Sequence, residues 1–247
     1  MSLAFSDPTN KRGILQAIER RLFPNDTGRI TGNATLLAEF TAEVNLALDK
    51  VLAIIFEVCG TWNYDDTGHD DYPIITTNLV AGQRDYSFLT DEQGNLILDI
   101  HRVLVKTEGG IYVDMTPVDV QSDHRTWGFT DGRDQQGTPD EYDKTANGIF
   151  LDRIPSYSAE DGLKVYINRE GSYFVTTDTG KKPGFAGLFH EFLAIEPAAK
   201  YAGIHTLKNR AELRDERDKM EKAMRGYFAR RERDTRRVLR SHITRFI

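Results

Sequence analysis

Three short stretches of the chain hold residues that could do chemistry. His190-Glu191 opens a zinc-protease pattern, but Ala194 stands where the second histidine ligand belongs, and one histidine with a carboxylate does not make that site. Thr179-Gly180-Lys181 resembles part of a phosphate loop. Val175 replaces its first glycine, however, and Lys182 stands where a magnesium-binding hydroxyl belongs. Asp65, Asp66, His69, Asp70 and Asp71 crowd oxygen ligands as a Ca²⁺ or Mg²⁺ site would. The EF-hand spacing is missing, and Tyr64, Thr67 and Gly68 fit an ordinary acidic loop, so no metal is assigned. Cys59 ends an apolar run and reads as a buried thiol rather than a nucleophile. No G-x-S-x-G elbow occurs. A carboxylate pair of the glycosidase type remains open, because a sequence does not show which acids face each other. The expectation is a chain with no catalytic residues and no cofactor.

The basic residues near the end have a different chemistry. From Lys200 to Ile247 there are 15 Lys+Arg and 7 Asp+Glu, a balance of +8, whereas the rest of the chain carries −14. Such asymmetry suggests an anionic partner for the basic end. Arg230, Arg231, Arg233, Arg236, Arg237 and Arg240 are the candidate docking residues, with Phe246 and Ile247 as apolar anchors.

Hydrophobic spacing predicts the elements that would carry these residues. Ile14, Leu15, Ile18 and Leu22 predict a helix over Thr9–Phe23, stopped by Pro24. The strongest periodicity is in Ala34–Cys59. There Leu37, Phe40, Val44, Leu48, Val51 and Ile55 form one stripe, and Leu46, Leu52, Ile54 and Phe56 add a second apolar side. Thr35 or Asn33 would cap its start and Gly60 its end.

Beyond Gly60 the composition shifts to Gly, Asp, Thr and aromatics. Strands are predicted at 73–77, 84–89, 95–106, 111–116, 148–154, 162–169 and 172–176. A phase shift at His101-Arg102 predicts a bulge, and Glu108-Gly109-Gly110 predicts a hairpin turn. Glu170-Gly171 reads as another turn, and Gln121–Lys144 as a long loop. Helix resumes near Phe185, with Leu188, Phe192, Ile195, Ala199 and Ala202 on one face and Pro197 expected to kink or split it. A last helix is predicted from near Lys208 almost to the C-terminus, with Leu213, Met220, Met224, Tyr227 and Phe228 on one stripe. Exposed ion pairs four apart are expected at Asp215–Lys219, Arg217–Glu221, Asp218–Lys222 and Glu221–Arg225.

The expected fold class is therefore α+β. Residues 1–60 and 185–247 would form a helical bundle, interrupted by a β-rich inserted domain at 61–184, with a long C-terminal helix projecting from it. No apolar run reaches the length of a membrane helix, and the N-terminus has no apolar stretch like a signal peptide's. A single cysteine fits synthesis in a reducing cytoplasm.

The stretch Phe40–Phe88 adds a family likeness. A long helix runs into the aromatic-acidic segment Trp62-Asn63-Tyr64-Asp65-Asp66. Next comes P-I-x-T-x-x-L-V-x-G-Q-x-D-Y, from Pro73 to Tyr86, and a charged helix closes the chain. This resembles the head-to-tail adaptor (head-completion) proteins of tailed bacteriophages. The resemblance implies a structural virion protein at the head–tail interface. It would be a homo-oligomeric ring, commonly a dodecamer, joining the portal protein to the tail nozzle or tail tube, with weak contact to genomic DNA in the channel. Two alternatives stay open. One is nucleic-acid binding through the basic helix, and the other is a cell-wall hydrolase.

Overall fold

A computed structural model of the chain describes residues 2–59, 74–91, 94–119, 135–145 and 148–231. The fold is mixed α+β, with four α-helices and several sheets among these residues.

Helix α1 spans Ile14–Leu22. It starts later than the spacing predicts because its first N–H groups already have partners. Ile14 N donates to the Ala4 carbonyl and Leu15 N to that of Phe5, so the preceding segment folds back across the helix start. The Glu19 carboxylate, buried on α1, accepts from the backbone amides of Gly28, Ile30 and Thr31, at 3.2, 2.9 and 2.9 Å. One side chain thus organises the turn-rich segment after Pro24.

Helix α2 spans Ala34–Cys59. Asn33 is its cap: Oδ1 accepts from Thr35 N at 3.0 Å and Leu36 N at 3.2 Å. Phe40, Val44, Leu48, Val51 and Ile55 are buried as the stripe requires, and so are Leu52 and Ile54. Leu46 departs from the expectation and is 56% exposed. Gly60 and the Asp65–Asp71 cluster lie outside the described residues.

Ten strands come next among the described residues: β1 (Ile74–Leu79), β2 (Asp85–Ser87), β3 (Ile97–Lys106), β4 (Tyr112–Asp114), β5 (Thr116–Pro117), β6 (Gln136–Gly137), β7 (Glu141–Thr145), β8 (Gly148–Leu151), β9 (Ile154–Pro155) and β10 (Ala159–Arg169). One sheet has the order β1-β10-β3-β4 and a second β2-β8-β7-β5; β6 and β9 pair in parallel. The register steps from Arg102↔Tyr166 to Ile100↔Ile167, so His101 is the extra residue of a bulge, where the phase shift predicts it. Thr107 N bonds the Ile111 carbonyl, and Gly110, at φ +80°, closes the β3–β4 hairpin. Part of the predicted loop 121–144 is strand instead: β6 and the first four residues of β7 fall inside it, and residues 121–134 lie outside the described residues. Glu170-Gly171 makes no turn; Glu170 N bonds Leu96 O and the chain runs on.

The predicted strand at Ser172–Thr176 is not one. Asn45 on α2 takes both backbone groups of Phe174: Oδ1 accepts from its N–H at 2.9 Å and Nδ2 donates to its carbonyl at 3.0 Å. The Phe174 ring then stacks on Phe5, centroids 4.7 Å apart.

A 3-10 turn at Gly187–Phe189 leads into α3 (Phe192–Ile204), and α4 spans Arg210–Arg231. Leu188 is exposed rather than on the buried face. Helix α3 runs unbroken through Pro197. A proline in a helix interior costs about 3 kcal/mol, but Phe192, Leu193, Ala194, Ile195, Ala198 and Ala199 are all buried here. At about 1.5–3 kcal/mol per large apolar side chain, that burial outweighs the lost hydrogen bond.

Buried apolar side chains fall into two clusters. The first draws on Phe5 to Cys59 together with Phe174 to Phe228. The second draws on Ile75 to Ile167 and joins the inner faces of both larger sheets. Just after β10's buried Ile167, Arg169 pairs with Asp91 at 3.2 Å, both side chains largely buried.

Candidate docking surface

Of the candidate arginines, helix α4 carries Arg230 and Arg231, and its packing fixes where that end of the helix stands. Leu213, Met224 and Phe228 are buried against α2 and α3, and Met220 is half-buried. Tyr227, expected on that stripe, is 40% exposed, but its ring still meets Phe189 edge-on at 5.3 Å. Beside the apolar seam runs a charge network. Lys50 of α2 reaches Glu196 of α3 at 3.4 Å and Glu221 of α4 at 3.2 Å. Arg225 pairs with Glu57 at 2.7 Å and with Glu221 at 3.2 Å. Burial pushes the Glu221 carboxyl up, but the hydrogen bonds from Lys50 and Arg225 outweigh it and hold the group below the usual glutamate range.

Of the ion pairs expected along α4, Glu221–Arg225 is formed. Arg217 turns instead to Asp218, at 2.8 Å, and towards Glu196, at 3.7 Å. The helix thus uses its charges more to attach itself to α2 and α3 than to brace its own surface. Arg230 lies exposed near the end of α4, and Arg231 is the helix's last residue. Arg233, Arg236, Arg237, Arg240, Phe246 and Ile247 lie outside the described residues.

The stretches that first suggested chemistry have structural partners. His190 is buried, its Nδ1 3.1 Å from Leu3 N and its Nε2 2.8 Å from the Phe185 carbonyl. Glu191 pairs with Arg21 at 2.6 Å. The Thr179 and Lys181 carbonyls accept from Ser6 and Phe5, and Lys181 Nζ donates to the Tyr173 carbonyl at 2.7 Å. Cys59 is buried, with Sγ 3.5 Å from the Phe228 carbonyl.

Two features had no readable signal. The first is an acid cluster: Asp152 Oδ1 accepts from the amides of Asp140 and Glu141 at 3.1 and 3.2 Å, and Arg153 reaches the Asp140 carboxylate at 3.2 Å and the Asp152 carboxylate at 3.5 Å. Burial, then the Asp140 carboxyl beside it, pushes Asp152 up to about 6. Its hydrogen bonds tie the end of β8 to the start of β7. The second is a groove of about 330 Å³ between α2 and α3, lined by Glu39, Phe40, Glu43, Pro197, Tyr201 and Ile204 among others. Its α2 and α3 residues are more than 150 positions apart in sequence, so only the fold brings them together.

Compared with known proteins, the chain matches no family model and no curated sequence. Among the described residues, no helix is long and apolar enough to cross a membrane.

Proposed function

We propose that this chain is a structural virion protein that acts without catalysis, as the head-to-tail adaptor ring of a tailed bacteriophage. Its N- and C-terminal helices would form one bundle, the strands between them an insertion, and α4 would carry a projecting basic end. The ring would sit at the head–tail interface, bind the portal on one side and a tail nozzle or tube on the other, and surround the DNA path. The observation that carries this reading is the attachment of α4. An apolar seam and a charge network fix it to α2 and α3, while its last turn presents Arg230 to solvent. A rigidly held helix with a basic end is a way to offer charge to a large acidic partner. The sequence likeness across Phe40–Phe88 supplies the class of partner.

The test is the mass of the purified chain, alone and mixed with the portal of its virus, by light scattering. A chain that joins the portal in one fixed ring stoichiometry supports the proposal. A chain that ignores the portal overturns it. Tight, salt-sensitive binding of duplex DNA by that same chain would then favour the nucleic-acid reading.

A further inference from the structure

The chain's basic residues are not confined to its C-terminal end. Lys11 and Arg12 precede α1, and Lys181 and Lys182 lie in the loop before the 3-10 turn. The fold joins these two loops: Phe5 N donates to the Lys181 carbonyl at 2.7 Å and Ser6 N to the Thr179 carbonyl at 3.3 Å. Arg20, from α1, reaches back to donate to the Lys11 carbonyl. Lys11, Arg12, Arg20 and Lys182 are exposed, and none has an ion pair among the described residues.

The patch stays positive once its acids are counted. The two loops, residues 5–13 and 175–184, hold two carboxylates, Asp7 and Asp178, and both are engaged. Asp7 Oδ1 accepts from Asn10 N at 2.8 Å; Asp178 Oδ2 accepts from Val175 N at 2.9 Å and lies 3.9 Å from Lys181 Nζ. Five cations thus stand against two acids. On α4, by contrast, exposed Glu212, Asp215, Glu216 and Asp218 are interleaved with the cations.

The first loop is also held in shape. Lys11 N donates to the Asp7 carbonyl at 2.9 Å, and Lys11 sits at φ +58°, in the left-handed region that lysine rarely takes. A backbone fixed in advance loses little freedom on binding. Between the cations the exposed residues are Thr9, Asn10, Thr179 and Gly180, with no large apolar side chain of the kind that anchors a protein interface. Cations among hydroxyls and amides suit phosphate oxygens.

We propose that this patch, on the Lys11 and Lys182 loops, binds the phosphate backbone of duplex DNA. The choice of DNA as the polyanion rests on the ring reading above, in which the chain surrounds the DNA path. The contact is independent of base sequence and sensitive to salt.

The experiment uses the full-length chain and a short fluorescent duplex, followed by anisotropy. Affinity should fall steeply with salt, with a log–log slope of about −3 to −4 for three or four phosphates neutralised. Lys11→Asn, Arg12→Glu and Lys182→Glu together should weaken binding about tenfold or more at roughly 50 mM salt and flatten the slope by about 3. Asn is used at position 11 because it accepts the left-handed backbone. Lys182→Glu alone should weaken binding about threefold, and it keeps the test standing if the triple variant melts early. No binding by the parent at that salt overturns the inference, and so does equal affinity of parent and variants. Loss of binding only when Arg233, Arg236 and Arg237 are reversed to Glu overturns it too. A triple variant that keeps DNA but no longer joins the portal would make the patch a protein contact instead. If the patch proves irrelevant to DNA while the unmodified chain forms its ring on the portal, the patch assignment falls and the adaptor reading stands. If the chain forms no ring yet binds DNA through the patch, the adaptor reading falls and the patch stands.

Discussion

A single carboxyl, Asp152, makes the chain's stability depend on pH in a direction its neighbours dictate. Burial and the adjacent Asp140 raise it from an ordinary value of 3.8 to about 6 in the folded chain. The folded state therefore binds the proton more tightly than the unfolded state does. This contribution to stability is fully present below pH 3.8 and is lost as pH rises through 6. Asp152→Asn keeps an oxygen for the amides of Asp140 and Glu141 but cannot ionise. The variant should match the parent near pH 4 and exceed it by about 1 kcal/mol or less at pH 8, because water screens the cluster and the Arg153 guanidinium, 3.5 Å from the Asp152 carboxylate, offsets part of the cost of ionising it. Thermal melts between pH 4 and 8 check this, and a variant that loses stability at pH 8 contradicts it. Nothing in the sequence pointed to Asp152, because its effect comes from burial and from Asp140, twelve residues away across a strand pairing.

Among the elements, α4 has the most to lose from one substitution. Phe228 is buried where α4 meets Cys59 of α2, and its ring contacts Phe189 and Tyr227. Phe228→Ala should cost about 3–4 kcal/mol. Because Phe228 belongs to the first apolar cluster, the loss should be local. Amides of 213–231 should exchange faster while those of β3 and β10, in the second cluster, keep their protection. Hydrogen exchange by mass spectrometry reads this directly, and equal loss in both places would mean the two clusters open as one unit. The elements were unequally legible. Helix α2 could be read because its stripe and its Asn33 cap are local signals, and the bulge at His101 because a bulge shifts the alternation in the sequence itself. The stretch around Phe174 alternates like a strand, yet Asn45, far back in the chain, takes the backbone groups a sheet would have used. Pro197 announced a break that the packing of α3 overrides. In both cases a contact between distant residues outweighed a correct local rule.

For the whole molecule, the separation of charge is the property that composition states most clearly. The +8 of Lys200–Ile247 faces a −14 body, and at physiological salt fields between exposed charges fade over about 8 Å. Attraction between copies, or between the chain and an acidic portal, therefore acts mainly at contact and during the final approach. Of the proposed docking surface, the arginines are named from composition alone, whereas the groove had no local signal, since Glu39 and Ile204 meet only once α2 and α3 pack. Reversing Arg233, Arg236 and Arg237 to Glu changes the net charge of the basic end from +8 to +2. All three follow in sequence the α4 packing seam that ends at Phe228, so the variant's melting temperature should stay within about 2 °C of the parent. Its association with portal, or with further copies, should be abolished at moderate salt. The parent's association rate should fall by about tenfold or more between roughly 50 and 500 mM salt, as steering by charge requires. Both are measured by stopped-flow light scattering. A variant that assembles as the parent does, with the same salt dependence, would remove the basic end from the proposed docking surface.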